Sequence, residues 1–194
     1  MKLEPPFRRA TPDDAAAMAE LVNMAGEGLP VYLWSGMAAE GEDVWALGRQ
    51  RAQREEGSFS YRNTVVAEAG GKVAACLIGY PLAAEPEPIG PDMPAMFVPL
   101  QELENLAPAT WYVNVLAAYP EHRGKGLGRG LLAIADAIAA EAGLSGLSII
   151  VSDANHGARR LYESCGYAEI AMRPMVKEGW ENGGENWVLL VKRL

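Results

Sequence analysis

Apolar and polar positions change their spacing several times along this chain, and each change marks the edge of an element. Met18, Leu21, Val22 and Ala25 recur at helical spacing. Thr11-Pro12-Asp13-Asp14 opens that helix: Thr11 suits the cap, Pro12 the first helical position, and the two acids complement the dipole. Gly26-Glu27-Gly28 ends it, and a second helix is predicted from about Glu42 to Glu55. Thr64 to Ala69 and Lys72 to Tyr80 are β-like runs joined by Gly70-Gly71, a two-residue hairpin signal. Pro81 to Pro99 is rich in proline and reads as neither strand nor helix, so it is expected to be an insertion or a lid over a site. A short helical piece near Val98 to Leu106 then leads to an apolar strand, Trp111 to Ala118. From Leu127 to Ala142 the helical period returns, with Leu127, Leu131, Ile134 and Ile138 on the face expected to pack on a sheet, and Gly143 closes it. Leu147 to Val151 reads as a strand, and Asn155 to Ser164 as a helix stopped by Gly166. Tyr167 to Met175 and Glu185 to Arg193 read as two strands joined across Trp180 to Gly184.

The strand–helix–strand unit 111–151 predicts two parallel strands with a right-handed crossover, hence an α/β or α+β mixed sheet. With 194 residues, no internal repeat and no linker, one domain spanning 1–194 is expected. Composition adds little beyond a globular class: 49% of residues are apolar and 22% charged. Met1 to Asp14 is polar and holds three prolines, which does not read as a signal peptide. No apolar run is long enough to span a membrane, so no membrane partner is expected. Cys76 and Cys165 lie far apart and read as free thiols in a reducing cytoplasm. The net charge of −8 argues against a nucleic-acid partner and is compatible with a cationic amine substrate. Arg123, Lys125, Arg129, Arg159 and Arg160 form a positive cluster against this acidic background, suited to an anionic ligand.

The cluster surrounds Arg123-Gly124-Lys125-Gly126-Leu127-Gly128, a glycine-rich turn between a strand and a helix start. Glycines there let the backbone approach a bound group, and the bare N–H groups of the first helical turn favour phosphate. Two familiar nucleotide loops are excluded. No Ser or Thr follows Lys125 as a P-loop requires, and the dinucleotide fingerprint fails at Arg129 in one register and at Leu131 in the other. What remains is Arg-x-x-Gly-x-Gly after a strand. The run from Leu116 to Gly128 resembles the acetyl-CoA signature of the GNAT superfamily of N-acyltransferases. A second block, Asn155-His156-Gly157-Ala158-Arg159-Arg160-Leu161-Tyr162-Glu163-Ser164-Cys165-Gly166-Tyr167, resembles the later motif of that family, in the family's order. Arg8 to Asp14 is similar to its opening strand and helix. The resemblance implies a single-domain fold: a central, mixed, mostly antiparallel sheet with two splayed parallel strands, flanked by helices.

It also implies acetyl transfer from acetyl-CoA to a primary amine by direct attack, with no metal. The main-chain amides of Arg123, Gly124, Lys125, Gly126, Leu127 and Gly128 would hold the pyrophosphate, and main-chain groups of Leu116 and Ala118 the pantetheine arm. Tyr162 would protonate the departing thiolate; the alternative reading of the residue is a core aromatic sharing a face with Ala158, Leu161 and Cys165. Asn155 would place the cofactor or a water, or simply cap its helix. His122 and His156 lack partners at metal spacing. Some family members carry a Glu two residues before Leu116; Asn114 stands there, cannot take a proton, and is a candidate substrate contact. Glu102 or Glu104 could act as base through water, or desolvation of the amine could make a base unnecessary. Tyr32, Trp34 and Trp111 are candidate acceptor-pocket aromatics, or ordinary partly buried residues. The acceptor would be a small-molecule or peptide amine, and the C-terminal strands could pair in a homodimer. The competing reading is an acyl-CoA-binding regulatory module without efficient transfer; longer acyl groups or transfer to oxygen also stay open.

Overall fold

The computed structural model describes residues 1–194, which form two compact units: Met1–Gly79 with Asn114–Leu131, and Tyr80–Val113 with Leu132–Leu194. The boundaries fall inside two strands and one helix, so neither unit is a contiguous segment.

In the first unit, Phe7–Arg9 (β1) pairs antiparallel with Thr64–Ala69 (β2), Phe7 opposite Ala67. The Gly70-Gly71 turn, both residues at positive φ, returns the chain as Lys72–Pro81 (β3), antiparallel to β2 with a bulge at Ala67/Glu68. Between β1 and β2 come three helices: Ala15–Ala25 (α1), Leu29–Met37 (α2) and Val44–Ala52 (α3). The start of α1 is fixed as the sequence predicts. A 3-10 turn, Pro12–Asp14, precedes it, and Asp14 Oδ2 accepts from the Thr11 backbone N–H at 2.7 Å. Arg8 donates to both oxygens of Asp14, at 2.7 and 2.9 Å. Burial of Asp14 raises its pKa, but Arg8 and Thr11 outweigh that and hold the carboxyl below its usual value.

The sequence does not predict α2. Its residues, LPVYLWSGM, include Pro, Gly and several β-branched or aromatic side chains of low helix propensity. It forms because Gly28, at φ +89°, turns the chain and Pro30 fits the first turn. The Trp34 ring then lands on α3, so close to Gly48 that a Cβ there would lie 2.4 Å from it. The predicted 42–55 helix is shorter: Asp43 caps it by accepting from Trp45 N–H at 3.0 Å, and it ends at Ala52. Met18, Leu21, Val22, Trp34, Val66 and Ile78 are buried together with Val115.

Val115 belongs to Trp111–Ala118 (β4), whose residues from Asn114 onward fall in the first unit. Its start falls in the second, and there β4 runs parallel to Gly146–Ser152 (β5), with Trp111 opposite Leu147 and Tyr112 opposite Ser148. Between them in the chain lies Leu127–Glu141 (α5). The buried face of α5 differs from the prediction. Leu131, Leu132, Ala135 and Ala139 are buried, while Leu127, Ile134 and Ile138 are only half-buried, so small residues bring this helix close to its neighbours.

The second unit also holds Val98–Glu104 (α4), His156–Ser164 (α6), Ala168–Pro174 (β6) and Asn186–Arg193 (β7). β5 pairs antiparallel with β7 along its whole length, and β7 with β6. Gly146 opens β5 because a Cβ would lie 2.1 Å from the Lys192 carbonyl oxygen. The Pro81–Pro99 segment is not wholly irregular, as the sequence reading had it. Pro81 ends β3, Ala95–Phe97 forms a 3-10 turn, and Pro99 sits buried in the first turn of α4. All seven strands lie in one mixed sheet, ordered β1-β2-β3-β4-β5-β7-β6, with β4–β5 its parallel pair. No helix is long and apolar enough to cross a membrane.

Candidate active site

Ala118 ends β4, and a 3-10 turn, Pro120–His122, carries the chain into the glycine turn. Gly124 and Gly126 take φ values of +71° and +82°. A Cβ at either would meet nothing within 4 Å, so glycine is required there by backbone conformation and not by crowding. α5 follows at Leu127, and its first intrahelical bond runs from Gly130 N–H to the Gly126 carbonyl at 3.0 Å. The N–H groups of the preceding helical residues have no carbonyl one turn earlier within the helix. Positive φ, a bare helix start and the exposed side chains of Arg123 and Lys125 make an anion cradle of the chain from 123 to 128. Gly130 anchors this helix start in the first unit, because a Cβ there would sit 2.4 Å from the Phe7 ring.

Arg123 also folds back, its Nε donating to the Ala118 carbonyl at 3.1 Å. One of the two main-chain positions expected to meet pantetheine therefore already has a partner at its oxygen. Leu116, Ala118 and Asn114 are half-buried along β4. At the end of the strand the Tyr119 hydroxyl donates to Glu20 of α1 at 2.5 Å, and Tyr119 N–H to the Ala74 carbonyl at 3.0 Å.

The two candidate aromatics of α2 differ. Tyr32 is exposed, whereas Trp34 is buried, stacked on Phe59 and edge-on to Trp45 at centroid distances of 6.1 Å. The face of Trp34 is thus used in packing α2 on α3.

In the second unit, Asn155 caps α6, its Oδ1 accepting from Ala158 N–H at 3.1 Å. The β5–α6 turn ahead of it is held by Asp153, which accepts from the backbone N–H groups of Glu185 and Asn186 and from the Asn186 side chain. Tyr162 is buried on α6, its ring 5.8 Å from that of Tyr167. Burial holds the Tyr162 proton well above the usual phenol range, so the group is a proton donor, not a phenolate, across ordinary pH. Cys165 caps the C-terminal end of α6, and Cys76 is buried in β3 with its thiol pushed up to about 12 by burial. A thiol so disfavoured as thiolate is a poor nucleophile. No group of three or more His, Cys, Asp or Glu side chains stands close enough together to hold a metal ion.

The structure also separates the two carboxylates offered as bases. Glu102 accepts from Arg173 Nε of β6 at 2.6 Å and is partly exposed. Glu104 has no such cation; burial, then the charge of Glu87, raises its carboxyl from 4.5 to about 7. Tyr80 and Tyr112, whose rings meet edge-on at 5.6 Å, feel the Glu104 charge. Neither tyrosine stands out in the sequence, because each lies in an apolar strand where an aromatic reads as core.

Residues 32–167 match the sequence profile described as the acetyltransferase (GNAT) family. No curated protein matches the sequence significantly. Among solved structures, the chain is similar to one described as an acetyltransferase, 21% identical, covering 96% of this chain and 98% of that one with a TM-score of 0.66. It is similar to an N-acetyltransferase from Staphylococcus aureus Mu50 at 19% identity, over 95% and 98% of the two chains, TM-score 0.63. A GNAT family acetyltransferase from Elizabethkingia anophelis with acetyl-CoA bound is 19% identical over 68% and 75%, TM-score 0.50. Identities this low speak for the fold; the profile spans well over half the chain, and by it this protein belongs to the GNAT family of acetyltransferases and is an acyltransferase.

Proposed function

We propose that this protein transfers an acetyl group from acetyl-CoA to a primary amine by direct attack. The observation that carries the reading is the turn at Gly124 and Gly126, both at positive φ and leading straight into the start of α5. Such a turn suits the pyrophosphate of coenzyme A, and the Elizabethkingia relative in this fold has acetyl-CoA bound. In this reading Arg123 to Gly128 hold the pyrophosphate, and main-chain groups of Leu116 and Ala118 guide the pantetheine arm. Asn155, at the N-cap of α6, helps to place the cofactor or a bound water.

The neutral amine forms a bond to the thioester carbonyl carbon, the C–S bond breaks, and the Tyr162 hydroxyl gives its proton to the sulfur. Burial of Cys76 favours this direct route over an acyl-enzyme. Asn114 and the exposed Tyr32 would contact the acceptor, with Trp34 behind them as a packing residue. Residues 1–194 would act as one catalytic domain in the cytoplasm, with 81–99 as its lid, needing no metal. A homodimer would form along β6, the last strand in the sheet order, where Ile170 and Met172 are exposed.

The second reading, a module that binds acyl-CoA without transferring it, is favoured by Asn114, which cannot take a proton. Thiol release from acetyl-CoA with a panel of primary amines separates the two. Acceptor-dependent release is expected; tight coenzyme A binding with no acceptor-dependent release would favour the binding module.

A further inference from the structure

Asn105 fastens the proline-rich segment to α4. Its Oδ1 accepts from Glu87 N–H at 2.9 Å and from Gln101 Nε2 at 3.2 Å, and its Nδ2 donates to the Glu87 carbonyl at 2.8 Å. The staple's residues line a small recess, open to solvent, whose lining also includes Leu82 and Glu104. The recess, which Glu104 helps to line, has room for water. Tyr80 and Tyr112 feel the charge of Glu104, and Tyr112 is also close enough to feel Tyr162, all within the second unit.

We propose that Glu104 is the general base of this enzyme, taking the acceptor's proton through water held in the recess that it lines. The inference rests on the acetyl-transfer reading above and supplies the base that Asn114 cannot be. The acceptor ammonium gives one proton, through water, to the Glu104 carboxylate. The freed lone pair forms the N–C bond, and the C–S bond pair stays on sulfur. Tyr162 protonates the sulfur, and the surplus proton on the new amide nitrogen restores the Tyr162 phenol. Glu104 then returns its proton to solvent, so one proton is released per turnover.

The surroundings suit a base working near neutrality. Glu87 lines the same recess, and its charge adds to burial in disfavouring a negative charge on Glu104. Tyr80 and Tyr112 remain neutral beside it. From β6 the charged neighbour on α4 is Arg173, and Glu102 already holds it. Glu104 therefore gains and loses its proton close to pH 7.

The test is kcat/KM against pH, read as thiol release from acetyl-CoA with glycinamide, spermidine and a tripeptide bearing a free amino terminus. The acceptor's own ionisation is common to every variant compared. The wild-type rate should rise on a limb near pH 7. Glu104→Gln should lower the rate at pH 7 by about 10²-fold or more and abolish that limb. Glu102→Gln should preserve both, and Glu87→Gln should move the limb to lower pH. A Glu104→Gln enzyme with the wild-type rate and limb would overturn the proposal. Should that variant fold poorly, carbon-13 titration of the Glu104 carboxyl in the wild-type protein decides. A midpoint matching the limb supports the proposal, and one at the ordinary carboxylate value overturns it. A wild-type protein that binds coenzyme A but releases no thiol with any acceptor fails earlier, at the transfer reading, and removes the reaction that Glu104 would serve.

Discussion

Single side chains carry the chemistry, and Tyr162 shows how much of it the sequence can reveal. The second motif picks out this residue from its neighbours, but the same spacing places it on a packed helix face. The structure bears out the packing, since Tyr162 is buried against Tyr167. Burial does not argue against the acid role, because it also keeps the proton in place. Tyr162→Phe removes the proton and little volume. It should lower kcat by about 10²-fold or more while leaving the Kd for acetyl-CoA unchanged, as steady-state rates and a binding titration would show. Glu104 was legible only as one of two carboxylates. Choosing between them needs Arg173, which lies far along the chain and neutralises Glu102. Trp34 shows the opposite limit: an aromatic that reads as a pocket wall turns out to be packed on Gly48 and Phe59.

At the scale of elements, the glycine turn was readable because its requirement is local. Gly124 and Gly126 need positive φ whatever surrounds them. Gly126→Ala should therefore cost about 1–2 kcal/mol of backbone strain and weaken coenzyme A binding about tenfold, measured by titration calorimetry, with no clash to repair. The Asp14 cap is similarly local. Asp14→Asn would leave Arg8 with Glu68 as its one carboxylate partner, and denaturant unfolding should report a loss of about 1–3 kcal/mol near neutral pH. Asp14 holds its proton less tightly than usual, so its contribution is present above its ordinary value of 3.8 and fades as the pH falls below it. By contrast, α2 and the buried face of α5 were not legible. Their helices are settled by what they pack against: Trp34 over Gly48 in one case, small alanines at Ala135 and Ala139 in the other.

For the whole molecule, the strand–helix–strand signal at 111–151 was enough to predict a mixed sheet with a parallel pair, and the β4–β5 register bears it out. The position of β7 between β5 and β6 was not predictable, because two consecutive strands read as a hairpin do not say which one faces β5. Stability of the whole fold should carry the mark of Glu104. Its folded pKa is raised from 4.5 to about 7, so the folded state binds the proton more tightly than the unfolded chain. That contribution is complete below pH 4.5 and is lost as the pH rises through 7. Glu104→Gln should thus be more stable than wild type at pH 8, by on the order of 1–3 kcal/mol in urea unfolding, with the difference vanishing at low pH.

The central claim is that the acetyl group passes directly from acetyl-CoA to a primary amine. Mass spectrometry of both amine and protein after a single turnover tests it. One acetylated amine is expected for each thiol released, with no acetyl group on the protein. Acetyl found on Cys76 or Cys165 before it reaches the amine, or thiol released without acetylated amine, would contradict it.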